Sequence, residues 1–190
     1  MDDLPDILER SGAILKGHFL LSSGRHSDTY FEKFRILEQP NVLSKVCAPI
    51  AERFRDSGAE SVAGPTAGGV IIAFEMARQM GLRALYVERD GGGRVLRRGA
   101  RVPSGSRVLV VDDVLTTGTS VLEVVDLIRS LGAEVVGVAV LVDRSEGPLD
   151  FGAPFYSAVK VQAKSYAPDE VPDWLAKIPV TEPGSRRLDI

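Results

Sequence analysis

Cysteine is almost absent from this sequence, and histidine is scarce. Cys47 is the only cysteine among 190 residues, so a disulfide within the chain and a cysteine-rich zinc site are both excluded. It stands in a helical pattern of apolar residues, which favours a buried, inert thiol over a nucleophile. The two histidines, His18 and His26, are interpreted as hydrogen-bonded structural residues rather than catalysts.

Long apolar runs and a large excess of one charge are also missing. No stretch approaches the roughly 20 apolar residues of a membrane span, and the acidic N-terminus has no apolar signal core. The formal net charge of −3 gives no general signal for binding a polyanion. We therefore expect a cytoplasmic protein with neither a membrane nor a nucleic acid as its partner.

Two nucleotide-binding motifs are missing as well. The chain has no G-x-x-x-x-G-K-[ST] loop, and no G-x-G-x-x-G opens a helix. The composition is that of an ordinary globular protein, with 44% apolar and 26% charged residues. At this length, a single domain with its own core is expected.

Strand and helix patterns alternate through the middle of the chain. A helix is expected at 40–57, strands at 61–64, 84–87, 107–111 and 134–142, further helices at 68–80 and 119–131, and a glycine-rich hairpin at 88–102. This alternation predicts an α/β fold, a mainly parallel sheet flanked by helices on both faces. Ligands of such sheets bind beyond the carboxyl ends of the strands.

The two ends of the chain have a different pattern. A helix is expected at 3–11, short strands at 18–21 and 30–34, a weak strand at 158–163 and a short helix at 169–177. We expect one domain over 1–190, with a core at about 36–147 and a small cap made of about 1–35 plus 148–190.

The segment from Val108 to Ser120 is the most informative one. A buried strand, Val108 to Val111, is followed by Asp112 and Asp113 and then by a turn rich in hydroxyl groups before a helix. Backbone amides at a helix N-terminus bind phosphate, and the two acids would then meet sugar hydroxyls or a phosphate-bound Mg²⁺. Ordinary capping by Thr and Ser is the structural alternative.

Two further segments suit an anion. Residues 64–69 (GPTAGG) form a second turn from strand to helix, whose small residues expose backbone N–H groups, although a plain turn explains them too. Residues 88–101 carry five arginines and four glycines. They fit a mobile lid over a bound anion or a solvated hairpin, whereas a nucleic-acid contact lacks an aromatic platform.

The segment 108–120 resembles the phosphoribosyl-pyrophosphate (PRPP) motif of type I phosphoribosyltransferases. The resemblance implies the fold of that family, and it implies that Asp112 and Asp113 contact the ribose. It assigns the 5′-phosphate to Thr116, Thr117, Gly118, Thr119 and Ser120, and it adds Val114 and Leu115 to the residues that bind PRPP. It assigns the pyrophosphate loop to Thr66, Ala67, Gly68 and Gly69.

The frame F-x-L-x-S-G-x-x-S, from Phe19 to Ser27, is similar to the N-terminal signature of orotate phosphoribosyltransferases. The family's aromatic pair beside the base then corresponds to Tyr30 and Phe31. Arg144 resembles the arginine that pairs with the orotate carboxylate, which suits a guanidinium fork, and Thr116 is expected to contact orotate too. A surface ion pair of Arg144 with Asp143 or Glu146 is the alternative.

The resemblance covers residues 16–147, and 178–186 also resemble one branch of the family. It implies transfer of phosphoribosyl from PRPP to orotate in pyrimidine synthesis, with Mg²⁺ held through PRPP near the two acids, and a homodimer with shared active sites. The expected catalytic residues are Asp112, Asp113 and Arg89, and Arg89 and Arg94 are expected to bind PRPP.

The chain also departs from the family pattern. Ser22 and Gly68 stand where many members have lysine, and the loop has arginines where members have lysines and a histidine. Arg94, Arg97 or Arg98 is expected to supply the missing charge. The other functions considered are transfer to another base, such as a purine, and a PRPP-sensing regulator that binds nucleic acid.

Overall fold

The computed structural model describes residues 4–21, 23–161 and 164–183. The elements are α1 (Leu4–Arg10), β1 (Ile14–Leu20), β2 (His26–Phe31), α2 (Phe34–Leu37), α3 (Pro40–Arg53), β3 (Ser61–Pro65), α4 (Gly68–Met80), β4 (Arg83–Asp90), β5 (Gly93–Leu96), β6 (Arg107–Leu115), α5 (Thr119–Ser130), β7 (Glu134–Asp143), β8 (Phe155–Lys160), β9 (Ser165–Tyr166), α6 (Asp173–Ala176) and β10 (Val180–Thr181). The chain forms two compact units, Met1–Glu38 with Val161–Ile190, and Gln39–Lys160.

The larger unit is built on a six-stranded sheet in the order β5-β4-β3-β6-β7-β8. All neighbouring strands run parallel except β5, which forms an antiparallel hairpin with β4. The central strands are continuous apolar runs because both faces of a parallel sheet are covered. The expected α/β fold with a mainly parallel sheet is confirmed.

The core of the larger unit forms where α5 packs on the sheet. Its apolar stripe buries Val121, Val124, Val125 and Ile128 against Val108 and Val110 of β6 and residues of β7. Each such valine contributes about 1.5 kcal/mol or more on burial. The alternate residues Leu109 and Val111 are fully buried too, so the opposite face of β6 is also covered.

Several boundaries differ from the expected ones. β6 continues to Leu115, because β7 pairs with it as far as Leu115 opposite Asp143. Asp112 and Asp113 therefore lie within the strand rather than after it. Helix α3 ends at Arg53 instead of 57, and Leu131 lies beyond the end of α5 and is 40% exposed.

The terminal segments differ from expectation at one point. Strand β8 is parallel to β7 in the six-stranded sheet, so residues 148–160 belong to the larger unit rather than to the expected cap. The expected strand at 158–163 lies at 155–160 instead, and 162–163 are outside the described residues.

The smaller unit contains a four-stranded sheet in the order β10-β1-β2-β9, which joins both ends of the chain. Phe34 begins the short helix α2 instead of ending the preceding strand. His18 Nδ1 lies 3.1 Å from the carbonyl oxygen of Ile178, and its Nε2 lies 2.7 Å from Nδ1 of His26. Both histidines are hydrogen-bonded, as expected. Of the helices in the described residues, none has the length and apolar character to cross a membrane.

Candidate functional site

Two adjacent carboxylates lie near the carboxyl end of the central strand β6. Asp112 and Asp113 are only 7% and 6% exposed. Asp112 Oδ1 accepts a hydrogen bond from the amide of Asp113 at 2.8 Å, and Asp113 Oδ1 accepts one from the amide of Val114 at 2.6 Å. Both side chains are thereby fixed by the backbone that follows them, which holds their charge at one edge of the sheet.

The turn at 64–69 lies against this acid pair. A Cβ atom placed on Gly68 would lie 1.9 Å from Oδ2 of Asp113, and one on Gly69 would lie 3.1 Å from Oδ1 of Asp112. The two segments meet because β3 and β6 are neighbouring parallel strands that end at the same edge. A side chain at position 68, where many family members have lysine, therefore has no room unless Asp113 moves.

The same turn folds back on its own strand. A Cβ on Gly64 would lie 2.0 Å from the carbonyl oxygen of Gly69, so this position requires glycine. The peptide between Thr66 and Ala67 is cis, and both residues are exposed at the tip of the turn. The expected pyrophosphate loop is thus a tight backbone turn with an exposed tip next to two buried acids.

The hydroxyl-rich turn forms the start of α5. Gly118 is the N-cap residue with φ +79°, a left-handed conformation that favours glycine. A Cβ there would also lie 2.8 Å from Cδ1 of Leu149. The hydroxyls of Thr117 and Thr119 lie 3.1 Å apart. The side chains of Thr116, Thr117 and Thr119 are exposed, so the turn presents its donors to solvent.

Helices α4 and α5 begin at this edge of the sheet, and the described structure shows no acidic or capping side chain that would balance the positive charge of their N-termini. In the described structure, neither α4 nor α5 has an acidic residue in its first turn or a side-chain hydrogen bond at its N-cap. The amides of a helix's first turn have no partner within the helix, and the helix dipole makes this end positive. The edge therefore offers two positive helix ends beside a pair of carboxylates.

Arg144 lies beside the hydroxyl-rich turn. Its backbone amide donates to the carbonyl oxygen of Leu115 at 2.8 Å, which places it next to Thr116. The neighbouring acid Asp143 is buried and accepts hydrogen bonds from the amide and hydroxyl of Ser145 at 2.8 and 2.6 Å. Lys160 Nζ lies 3.6 Å from the same carboxylate. Asp143 is thus engaged by Ser145 and Lys160.

The arginine-rich segment is a hairpin whose cations are paired with acids. Arg89 and Arg94 lie opposite each other on β4 and β5, and both donate to Glu123 on α5. Arg97 lies 3.0 Å from Oδ1 of Asp90, and Arg98 lies 3.5 Å from Oε1 of Glu88. The sequence analysis missed Glu123, although its position three residues after Ser120 on α5 places it on the same helix face.

The sequence analysis also missed a polar cluster in the C-terminal half of α4. The Glu75 carboxylate accepts hydrogen bonds from Arg78 and Gln79 at 2.7 and 2.6 Å. These bonds, chiefly that from Arg78, lower the pKa of Glu75 to about 2 although burial opposes them. Burial, with the nearby Glu75 charge, raises the pKa of the Cys47 thiol to about 12. The thiol therefore stays protonated, which agrees with an inert cysteine.

Three expected features belong to the smaller unit of the chain. Tyr30 and Phe31 are in β2 of the smaller unit, where the Tyr30 ring lies 5.7 Å from that of Phe19. Their role beside the base stays a prediction. Ser22 and residues 184–186 lie outside the described residues.

The donor set at this edge fits a magnesium ion that arrives with a phosphate ligand. In the described part of the chain, no group of three or more His, Cys, Asp or Glu side chains forms a metal cluster. Mg²⁺ commonly takes one or two carboxylates and completes its shell with substrate phosphates and water. Asp112 and Asp113 can supply such oxygens, whereas a cage made only of protein atoms is not present among the described residues.

Comparison with known proteins gives the same family at three levels. Residues 35–172 match the model of the phosphoribosyl transferase domain. The chain is 51% identical over 183 residues to an orotate phosphoribosyltransferase of Caldanaerobacter subterraneus subsp. tengcongensis, covering 96% of each chain. It is 43% identical to that of Desulforamulus reducens, covering 98% of each.

Among solved structures, the fold is similar to the orotate phosphoribosyltransferase of Aeropyrum pernix. The TM-score is 0.72 at 34% sequence identity, and the match covers 84% of this chain and 94% of that one.

Proposed function

The chain belongs to the orotate phosphoribosyltransferases, and from that premise we propose that the carboxyl edge of its six-stranded sheet is the site of transfer. There, orotate would take the phosphoribosyl group of PRPP to give orotidine 5′-monophosphate and pyrophosphate. The observation that carries this proposal is the meeting of the 64–69 turn with Asp112 and Asp113, beside two uncapped helix N-termini.

The two helix ends provide separate places for the two phosphate groups of PRPP. The 5′-phosphate would bind the turn from Thr116 to Ser120, where exposed hydroxyls and the first amides of α5 are available. The pyrophosphate would bind the turn from Thr66 to Gly69 at the start of α4. Anchoring both ends of PRPP leaves C1′ in a fixed position for attack.

The acid pair would hold the ribose between these anchors. Asp112 and Asp113 are buried and fixed by backbone amides, so they need little reorganisation as the reaction proceeds. When the bond from C1′ to the pyrophosphate oxygen breaks, positive charge develops on the ribose. Two nearby carboxylates stabilise that charge, and the base nitrogen then forms the new bond to C1′.

Mg²⁺ would be held by Asp112 or Asp113 together with oxygens of PRPP. When bound, it would neutralise negative charge on the departing pyrophosphate. Arg89 would share this task, because its side chain is 60% exposed and its ion pair with Glu123 is at the surface. An arginine stays protonated, so it would stabilise the leaving group by charge and not by donating a proton.

Orotate recognition would depend on Arg144 and Thr116. Leu115 and Arg144 are joined by a backbone hydrogen bond of 2.8 Å, so the backbone of Arg144 lies beside the proposed phosphate turn. A planar fork that binds a carboxylate favours orotate over bases without one. A homodimer with shared sites and a cytoplasmic location are further proposals, which rest on the family resemblance.

An orotate-depletion assay tests the proposed function. The purified protein is expected to consume orotate only when PRPP and Mg²⁺ are both present, and excess chelator should abolish turnover. Adenine and hypoxanthine serve as competing bases and should not be converted. Turnover that persists in chelator would contradict the Mg²⁺ proposal, and preferential conversion of a purine would contradict the choice of base.

A further inference from the structure

A buried arginine lies behind the hydroxyl-rich turn. The side chain of Arg94, on β5, is only 4% exposed. Its Nε donates to Oε2 of Glu123 at 2.8 Å, and its Nη2 donates to the hydroxyl of Ser120 at 2.9 Å. Ser120 and Glu123 are one turn apart at the start of α5. Arg94 therefore connects the hairpin to the last residue of the turn proposed to hold the 5′-phosphate.

Stability alone does not explain an arginine at this position. Within the described ranges, Nη1 of Arg94 is the buried side-chain atom that has no hydrogen-bond partner. A buried unpaired donor has a desolvation cost, which an apolar side chain of similar length would avoid. Glu123 does not depend on Arg94, because it is 28% exposed and also accepts a hydrogen bond from Arg89 at 3.1 Å.

The contact with Ser120 fixes the direction of its proton. A serine hydroxyl has one proton to donate and two lone pairs that accept, whereas a guanidinium can only donate. The oxygen of Ser120 must therefore accept from Arg94, and its own proton points away from the arginine. A hydroxyl oriented in this way can donate to an anion at the N-terminus of α5 without first breaking another bond to Arg94.

We propose that Arg94 is a positioning residue for the 5′-phosphate of PRPP: held by Glu123, it orients the Ser120 hydroxyl as a donor. The inference rests on the proposed function, which places that phosphate at the turn from Thr116 to Ser120. It differs from the direct contact with PRPP that the sequence predicts for Arg94. Arg89 has the complementary property, since it can leave Glu123 for pyrophosphate while Arg94 keeps Glu123 paired.

We call this action of Arg94 on the phosphate through the Ser120 hydroxyl the relay. A double-mutant cycle of Arg94→Met and Ser120→Ala tests it. PRPP binding is measured by titration calorimetry, and the KM values for PRPP and orotate are measured by turnover. Each single variant is expected to weaken PRPP binding about fivefold, the worth of one hydrogen bond, with the orotate KM changed by less than about twofold. The double variant should bind no more weakly than Ser120→Ala alone, because Arg94 acts through that hydroxyl.

Controls separate the relay from a general loss of structure. The melting temperature of Arg94→Met is expected within about 3 °C of the wild type. Arg83→Met removes an exposed arginine at the start of β4, far along the strand from the hairpin, and should leave PRPP binding unchanged. If Arg94→Met does not fold, Arg94→Lys replaces it in the cycle. It keeps the charge but cannot bridge both partners, and it should weaken PRPP binding at least about threefold.

The outcomes distinguish the relay from the function on which it rests. If the wild type consumes orotate with PRPP but the two losses multiply in the double variant, the relay is wrong and the function stands. The relay is equally wrong if neither Arg94 variant changes PRPP binding. If the wild type neither binds PRPP nor consumes orotate, both the function and the relay are wrong.

Discussion

At the scale of single residues, the acid pair carries the strongest expectation. Asp113→Asn keeps the shape of the side chain but removes the charge that would stabilise the ribose in the transition state. We expect PRPP-dependent turnover to fall at least about tenfold, or about 1.4 kcal/mol of transition-state stabilisation. Asp126→Asn, an exposed acid on α5, is the control. Steady-state kinetics that match the wild type would contradict the role of Asp113.

A second prediction at this scale concerns Arg144. Arg144→Ala removes the proposed partner of the orotate carboxylate, so the KM for orotate should rise about tenfold or more, the worth of a charged hydrogen bond. The KM for PRPP should change little. Arg107→Ala, at the opposite end of β6, is the matched control. A change confined to the PRPP KM would overturn the assignment of Arg144 to the base.

The sequence predicts some residues of the candidate site and misses others. Asp112, Asp113 and the turn to Ser120 are candidates because of their order along the chain, and their role in the site stays a prediction. Glu123 was not among the candidates, because an acid on an amphipathic helix normally belongs to a solvated face. Only the fold of the hairpin brings Arg89 and Arg94 to it, and such a contact between distant segments has no local signature.

At the scale of an element, the start of α5 depends on the left-handed conformation of Gly118. Gly118→Ala places a Cβ at φ +79°, 2.8 Å from Leu149, so both the backbone and the packing of the turn are strained. We expect the KM for PRPP to rise severalfold and the melting temperature to fall by about 3 °C or more, since left-handed alanine costs about 1 kcal/mol.

Gly105→Ala is the matched control for this prediction. Gly105 has φ +81° and no atom within 4 Å of the added Cβ, so it has the same backbone strain without the crowding. It should lower the melting temperature and leave the KM for PRPP unchanged. If both variants affect that KM equally, the effect is one of global stability and the turn has no special role.

Helix α4, which begins at the turn at 64–69, is stabilised in a pH-dependent way by Glu75. The pKa of Glu75 is lowered to about 2 in the folded state from 4.5. Its contribution is therefore fully present above about pH 4.5 and is lost as the pH falls toward 2. Because the partner Arg78 is 56% exposed, we expect about 1–2 kcal/mol rather than the full value of the shift.

Urea unfolding at pH 7 and pH 3 measures this contribution. The free energy of unfolding should fall more between pH 7 and pH 3 for the wild type than for Glu75→Gln. The variant has no carboxylate at position 75 that could be protonated. Glu52→Gln serves as control, since Glu52 forms an exposed helical pair with Arg55 whose contribution is small. Equal losses for wild type and Glu75→Gln would rule out the coupling.

Elements are also where the sequence and the fold agree best. Helix α4 begins and ends where expected, because Gly68 and Gly81 punctuate an apolar run and Gly81 adopts φ +69° at the C-cap. Strand β6 was expected to end at Val111, since charged residues rarely extend a buried strand. It continues through Asp112 and Asp113 because β7 supplies partners as far as Asp143, a pairing that no local pattern contains.

At the scale of the whole molecule, the division into two units was only partly predictable. Both ends of the chain contribute strands to the four-stranded sheet, and their weak periodicity gave no sign of which strands pair. Strand β8 was assigned to the terminal segments because prolines surround it, yet it pairs with β7. The parallel sheet was predictable because regular, strongly apolar segments of the sequence mark its alternating strands and helices.

The central claim is that the carboxyl edge of the six-stranded sheet binds the two phosphate ends of PRPP in separate turns, with the ribose between them at the acid pair. A crystal structure of the wild type with PRPP and Mg²⁺ tests it most directly. We expect the 5′-phosphate within hydrogen-bonding distance of the amides from Thr116 to Ser120, and the ribose hydroxyls at Asp112 and Asp113. PRPP bound elsewhere, or with its 5′-phosphate at the turn from Thr66 to Gly69, would contradict the account.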